Sequence, residues 1–169
     1  RRQLSDERDR ALAAEIVTGT LRWRRSLDHL IEHFARRPLD RLDREVVDVL
    51  RLSLYQLLHL DRIPASAAVD EGVNLVRAAR KPSASGFVNA ILRGVVRQRA
   101  SLPFPARPES SANHAAAVAY LGVTHSHPEW LVERWLGRVG LDLAEAWVRF
   151  NNETPKLTLR VNRLRMTRE

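Results

Sequence analysis

Residues 63–97, IPASAAVDEGVNLVRAARKPSASGFVNAILRGVVR, decide the fold. Pro64 disfavours helical geometry at Ile63, so one helix ends there and another begins, with Ser66 placed to cap it. Val69, Val73 and Val76 form one apolar stripe of that helix. Lys81-Pro82-Ser83 stops it, and Ser83 or Ser85 can cap the next, in which Phe87, Val88, Ile91, Leu92, Val95 and Val96 recur at helical spacing. Asn89, Arg93 and Arg97 fall on the opposite face. The stretch reads as two helices joined by a tight turn.

Upstream, Asp43 is placed to cap a helix from Arg44 to about Leu60. It is apolar nearly all round, with Val46, Val47, Val49, Leu50, Leu52, Leu54, Leu57, Leu58 and Leu60 leaving a narrow polar stripe of Asp48, Arg51, Tyr55 and His59. Such a helix is central and largely buried, the hub of a bundle. Two more helical patterns precede it. Asp6 to Arg22 has Leu12, Ile16, Val17 and Leu21 on one side and acidic residues at its start, and a second carries Leu27, Leu30, Ile31 and Phe34.

Downstream, residues 101–113, SLPFPARPESSAN, hold three prolines and three serines, which remove backbone donors and resist helix formation. A domain boundary is expected there, separating residues 1–100 from residues 114–169. Beyond it, Ala115–Leu121, Pro128–Val139 and Leu141–Phe150 read as helices, the second with Trp130, Leu131, Trp135 and Val139 inward. The period then changes to two. Leu157, Leu159 and Val161 alternate with Thr158, Arg160 and Asn162, the pattern of a strand that needs sheet partners absent from this sequence. The polypeptide is therefore expected to continue past Glu169, and with its start at Arg1 it is expected to be a fragment or the ordered part of something longer.

With 44% apolar residues the chain has the composition of a globular, soluble protein, and no stretch approaches the ~18 uninterrupted apolar residues of a membrane helix. No secretory signal is visible, and a cytoplasmic setting fits. The absence of cysteine excludes disulfides, thiolate zinc sites and a cysteine nucleophile in these residues. Net charge is +8, of which residues 1–100 carry +6. Arginine supplies 26 of the 28 basic side chains, a bias to which genomic composition contributes. A basic surface attracts phosphates by its long-range field and by counterion release, so RNA is the leading macromolecular partner.

The pattern around FVNAILR (residues 87–93) resembles the NusB family of small helical RNA-binding domains, over roughly Asp9 to Gln98. The continuation, SHPEWLVERW at 126–135 and NNETPKLTLRVN at 151–162, resembles the linker of bacterial ribosomal RNA cytosine-5 methyltransferases (RsmB/Sun/Fmu), in which a NusB-like domain precedes the catalytic one. The resemblance implies an all-α NusB-like bundle, then a helical linker and the first strand of a truncated α/β region. It further implies a parent enzyme using S-adenosylmethionine and a cysteine thiolate for covalent catalysis, with the catalytic domain absent from this chain. No catalytic, cofactor or metal residue can be assigned here. The implied partners are ribosomal RNA, a ribosomal protein and, within the parent, the catalytic domain. The family usually begins with a further helix bearing an arginine-rich stretch, so Arg1 and Arg2 are not equated with that motif.

The segment GTLRWRRSLD places Arg22, Arg24 and Arg25 around Trp23. A guanidinium holds phosphate bidentately and an indole stacks on an unpaired base; equally, Trp23 can pack in the core with the arginines as a solvated helix end. Asn89, Arg93 and Arg97 form a second phosphate-facing stripe, or a solvated face. A rival class is a metal-dependent hydrolase, since His29 and His33 stand one turn apart and His125 and His127 flank Ser126, but no acidic third ligand lies nearby in sequence. Asp70-Glu71 fit a helix start, where they favour the dipole. Tyr55, Gln56 and His59 read as the hydrogen-bonded or exposed edge of the central helix. The seven glycines are scattered, with no phosphate-cradling loop. The alternative function is a protein-interaction or antitermination module with no catalytic role.

Overall fold

The computed structural model describes residues 6–109, 113–153, 160, 162, 164 and 165, and every element in it is helical. Helix α1 (Glu7–Arg22) starts where the Asp6 carboxylate accepts the Arg8 N–H at 2.8 Å, and acidic Glu7 and Asp9 sit at the positive end of its dipole. Trp23 interrupts the helix at φ −93°, ψ 12°, and α2 (Arg24–Ala35) follows at once. It stops at Arg36, which adopts the left-handed conformation at φ 53°.

Helix α3 (Arg44–His59) is the hub, packing on α1 and α2 and on both later helices of the bundle, α4 (Ala65–Ala78) and α5 (Ser85–Arg97). Its Leu50 and Leu54 are fully buried beside Leu27, Leu30 and Ile31 of α2, Val76 of α4, and Val88, Leu92 and Val95 of α5. Burying a side chain of that size contributes about 1.5–3 kcal/mol, so this layer dominates the bundle's stability. Helix α1 joins it through small residues. At Gly19 an added Cβ would lie 1.9 Å from Cζ of Tyr55, so only glycine lets the two helices approach. Leu12, Val17 and Leu21, the stripe expected on one side of α1, are exposed.

The turns lie where proline and the broken periodicity place them, but the expected caps do not form. Asp43 occupies the N-cap position of α3, yet its carboxylate pairs with Lys81 Nζ at 3.0 Å and caps nothing. The opposite charge on the α4–α5 turn outcompetes a backbone N–H for it. Pro64 occupies the α4 cap, putting Ser66 inside the first turn. A short 3₁₀ turn, Pro82–Ala84, runs straight into α5, so neither Ser83 nor Ser85 caps it and the Ser85 hydroxyl is buried without a partner among the described residues. Asp70 and Glu71 lie beyond the first turn of α4, where the dipole no longer reaches them.

A second cluster, Ala117, Tyr120, Leu121, Val132, Leu136, Leu141, Ala144 and Val148, is built from α6 (His114–Ala119), a π-helical turn at Tyr120–Thr124 and α7 (Glu129–Asn152). Helix α7 is broken at Gly140, whose φ of 75° and ψ of −179° lie outside the helical region in a conformation only glycine adopts cheaply, so two helices meet at a kink where the sequence places their boundary. The inward face of its first half also differs from expectation. Val132 and Leu136 are buried, Trp135 is partly so, and Trp130 and Val139 are 63% and 46% exposed. Among the described residues Leu143, Trp147 and Phe150 also face outward. The alternating segment with Leu157, Leu159 and Val161 lies outside the described residues.

Residues 102–108 have no regular structure but are strapped down. Leu102 and Phe104 pack on the first cluster, the Pro103 carbonyl accepts from His29 Nε2 at 2.8 Å, and the Pro105 carbonyl accepts from the Thr124 hydroxyl at 3.3 Å.

Candidate nucleic-acid interface

Two groups of basic side chains were predicted from sequence, and the fold treats them differently. Trp23, at the α1–α2 break, stacks on His59 with ring centroids 4.4 Å apart, and His59 stacks in turn on Tyr55 at 5.2 Å. The Tyr55 hydroxyl donates to Glu15 at 2.6 Å. Burial lowers His59 to about 4, so it is neutral at pH 7, whereas burial, then the bond to Glu15, pushes Tyr55 up to about 12. Trp23 is thus half core and half surface. Arg22 is half-buried and joins no ion pair among the described residues. Arg24 is exposed and only 3.7 Å from Asp28, whose two oxygens are already held bidentately by Arg51 at 2.6 and 2.9 Å. Arg25 is half-buried and bonds to residues 126–129.

The second group lies where α4 and α5 meet. Arg93 Nε donates to Asn89 Oδ1 at 2.9 Å, which splays the guanidinium along the α5 surface. Arg93 and Arg97 line a cleft of about 380 Å³ with Ser66, Val69, Asp70 and Val96. Asn89 lines its neighbour, about 360 Å³, with Asp70, Asn74 and Arg77. Among the described residues no carboxylate pairs with Arg77, Arg93 or Arg97, and all three are exposed. Three guanidinium groups without an ion-pair partner among the described residues, beside Asn74 and Asn89, offer fixed positive charge and neutral donors to a phosphate chain, with the Asp70 carboxylate lining both clefts.

The NusB family model matches residues 1–97, and that of the RsmF/B-like methyltransferase ferredoxin-like domain matches residues 127–169. The chain belongs to the NusB family. It is 36% identical over 167 residues to the probable ribosomal RNA small subunit methyltransferase B of Bacillus subtilis (strain 168), covering 98% of this chain and 35% of the relative. The corresponding Synechocystis protein is 34% identical over 160 residues, 95% of this chain and 34% of the relative. The ribosomal RNA small subunit methyltransferase B of Pseudomonas putida is 34% identical over 164 residues, 97% of this chain and 35% of the relative. The chain thus spans about a third of the length of these curated relatives.

Within this NusB-family chain His29, His59, His125 and His127 are taken up in packing, while His33 and His114 are exposed. His29 carries its proton on Nε2 for the Pro103 carbonyl and lies against Phe104, His33 meets Phe34 edge to face, and His127 donates from Nδ1 to the His125 carbonyl at 2.7 Å. Among the described residues no three His, Cys, Asp or Glu side chains converge as metal ligands. Burial lowers both His125 and His127, with the Arg149 charge adding to the effect at His125. Glu145 is nearly buried and anchors Tyr120, Arg107 and Arg149 at 2.8, 2.6 and 2.6 Å. Burial works to raise its carboxyl, and the Arg107 and Tyr120 bonds with the Arg149 charge outweigh it, leaving it below the usual range.

Sequence reasoning passed over Arg77. It sits on the polar side of α4, and only the packing of α4 on α5 brings it beside Asn89. The legible signal was weak, one arginine among many. No helix among the described residues is long and apolar enough to cross a membrane.

Proposed function

We propose that this chain is the RNA-gripping N-terminal part of a ribosomal RNA cytosine-5 methyltransferase, holding structured rRNA for a catalytic domain outside it. Residues 1–100 are the gripping unit, 101–113 the connector and 114–169 the linker and start of the methyltransferase region. The reading is supported by relatives named ribosomal RNA small subunit methyltransferase B that match nearly the whole chain. The observation that carries it is the set of exposed guanidinium groups Arg77, Arg93 and Arg97, none in an ion pair among the described residues, with Asn89 along the α4–α5 seam. Arg22, Arg24 and the half-exposed Trp23 form a second contact, where the indole offers a stacking face to an unpaired base.

In the parent, S-adenosylmethionine would supply the methyl group. The described residues do not fit it: their clefts lie between helices, rimmed by arginine and carboxylate, with no glycine-rich turn after a strand. The test compares Arg93→Gln/Arg97→Gln with Arg22→Gln/Arg24→Gln in RNA titrations at several salt concentrations. Loss of affinity with a flattened salt dependence in the first variant is expected, and unchanged binding in both would overturn the reading.

A further inference from the structure

The break at Trp23 creates a need that its own segment does not meet. Trp23 holds the N-cap position of α2 and has no side-chain acceptor to offer the first N–H groups of that helix. Ser126 supplies one from a hundred residues away. Its hydroxyl accepts from the Arg25 N–H at 3.0 Å and sits 3.4 Å from that of Ser26. The Arg25 side chain runs the opposite way, donating through Nη1 to the His127 carbonyl at 3.1 Å and pairing through Nη2 with Glu129 at the start of α7. One residue thus bonds three positions of the segment 126–129 through both backbone and side chain.

The segment is shaped for this contact. Ser126 holds a φ of 57°, a left-handed conformation that costs a non-glycine residue free energy and persists only where its surroundings enforce it. Gly122, in the π-helical turn, lies under the guanidinium, and a Cβ there would sit 3.3 Å from Arg25 Cζ and Nη1. His127 is 8% exposed, and the bond to its carbonyl is partly buried. A partly buried arginine with a bound carboxylate and a bound carbonyl has little charge left for a phosphate.

We propose that Arg25 and Ser126 form a clasp that fixes the orientation of the α6–α7 unit on the helical bundle, making Arg25 a positioning residue and not an RNA contact. The inference rests on the RNA-gripping reading only for why that orientation matters. A grip on RNA is useful to a separate catalytic domain only if the angle between them is set, because small misplacements of substrate cost large factors in rate.

The chain has no cysteine, so Glu71→Cys on α4 and Arg138→Cys on α7, both exposed, accept a pair of spin labels in the otherwise native chain. The distance distribution between them should be single and narrow. In the same background Arg25→Met/Ser126→Ala should at least double its width, with helicity by circular dichroism unchanged and RNA affinity within twofold. An unchanged width would overturn the clasp. So would a tenfold loss of RNA affinity with the distribution intact, since Arg25 would then be the phosphate contact of the sequence-based reading. If the double variant unfolds, Ser126→Ala alone decides, with partial broadening expected and an unchanged width refuting. The distances involve no RNA, so a native chain that binds none would refute the gripping reading while the distributions still judge the clasp.

Discussion

Neutralising the α4–α5 seam, Arg77→Gln/Arg93→Gln/Arg97→Gln, tests the RNA reading most directly. All three side chains are exposed and unpaired with any described carboxylate, so their removal leaves the core untouched; the one bond lost is the exposed contact of Arg93 with Asn89. Each phosphate neutralised on a single strand contributes about 0.7 to the slope of log affinity against log salt. Three contacts therefore account for a slope of about 2. The same arithmetic gives a loss of about a hundredfold at 0.1 M salt, shrinking toward nothing near 1 M. The assay is fluorescence anisotropy with a labelled rRNA fragment at salt concentrations from about 0.05 to 0.5 M, a range over which counterion release dominates. Two results would refute the reasoning: an unchanged slope with unchanged affinity, or a loss of affinity that does not shrink as salt rises. The second would mean that the arginines act through shape or folding and not through charge.

Three further outcomes follow from the packing. Leu50→Ala, at a fully buried position of α3, should cost about 2–5 kcal/mol in urea unfolding, and a cost below about 1 would mean that α3 is not the hub. Arg51→Met leaves Asp28 half-desolvated without its bidentate partner and should cost about 2 kcal/mol, less than a fully buried pair because both side chains keep some exposure; adding Asp28→Asn should recover much of it, and strictly additive costs would refute the pairing. His59 is held at about 4 in the fold against its ordinary 6.5, so between those values the unfolded state binds more protons. Stability is then full above about pH 6.5 and falls as pH drops toward about 4, by at most about 3 kcal/mol, with the lowered His125 and His127 acting in the same sense. His59→Phe should flatten part of that slope in thermal melts, and an identical pH profile would refute the assignment.

The helices of the bundle were legible because their signals are local. Proline at 64 and 82 and the 3.6-residue recurrence of aliphatic side chains act within one or two turns of chain, and α3 betrays its central place by being apolar on almost every side. FVNAILR likewise carried the family resemblance within a few residues. What failed was anything depending on a competitor elsewhere in space. Asp43 looked like a cap until Lys81 claimed its carboxylate, and Trp130 and Val139 looked inward until the second cluster took Val132 and Leu136 in their place.

The basic segment 22–25 shows the same division. Sequence alone determined that arginines surround a tryptophan at a helix junction, because composition and periodicity are properties of the chain. Only the tertiary structure decided their separate employments: Trp23 on His59, Arg24 on the rim of Asp28, and Arg25 drawn to residues 126–129. The physical reason is that a guanidinium bonds whichever acceptors the fold brings within about 3 Å, and acceptors a hundred residues away leave no trace in local sequence.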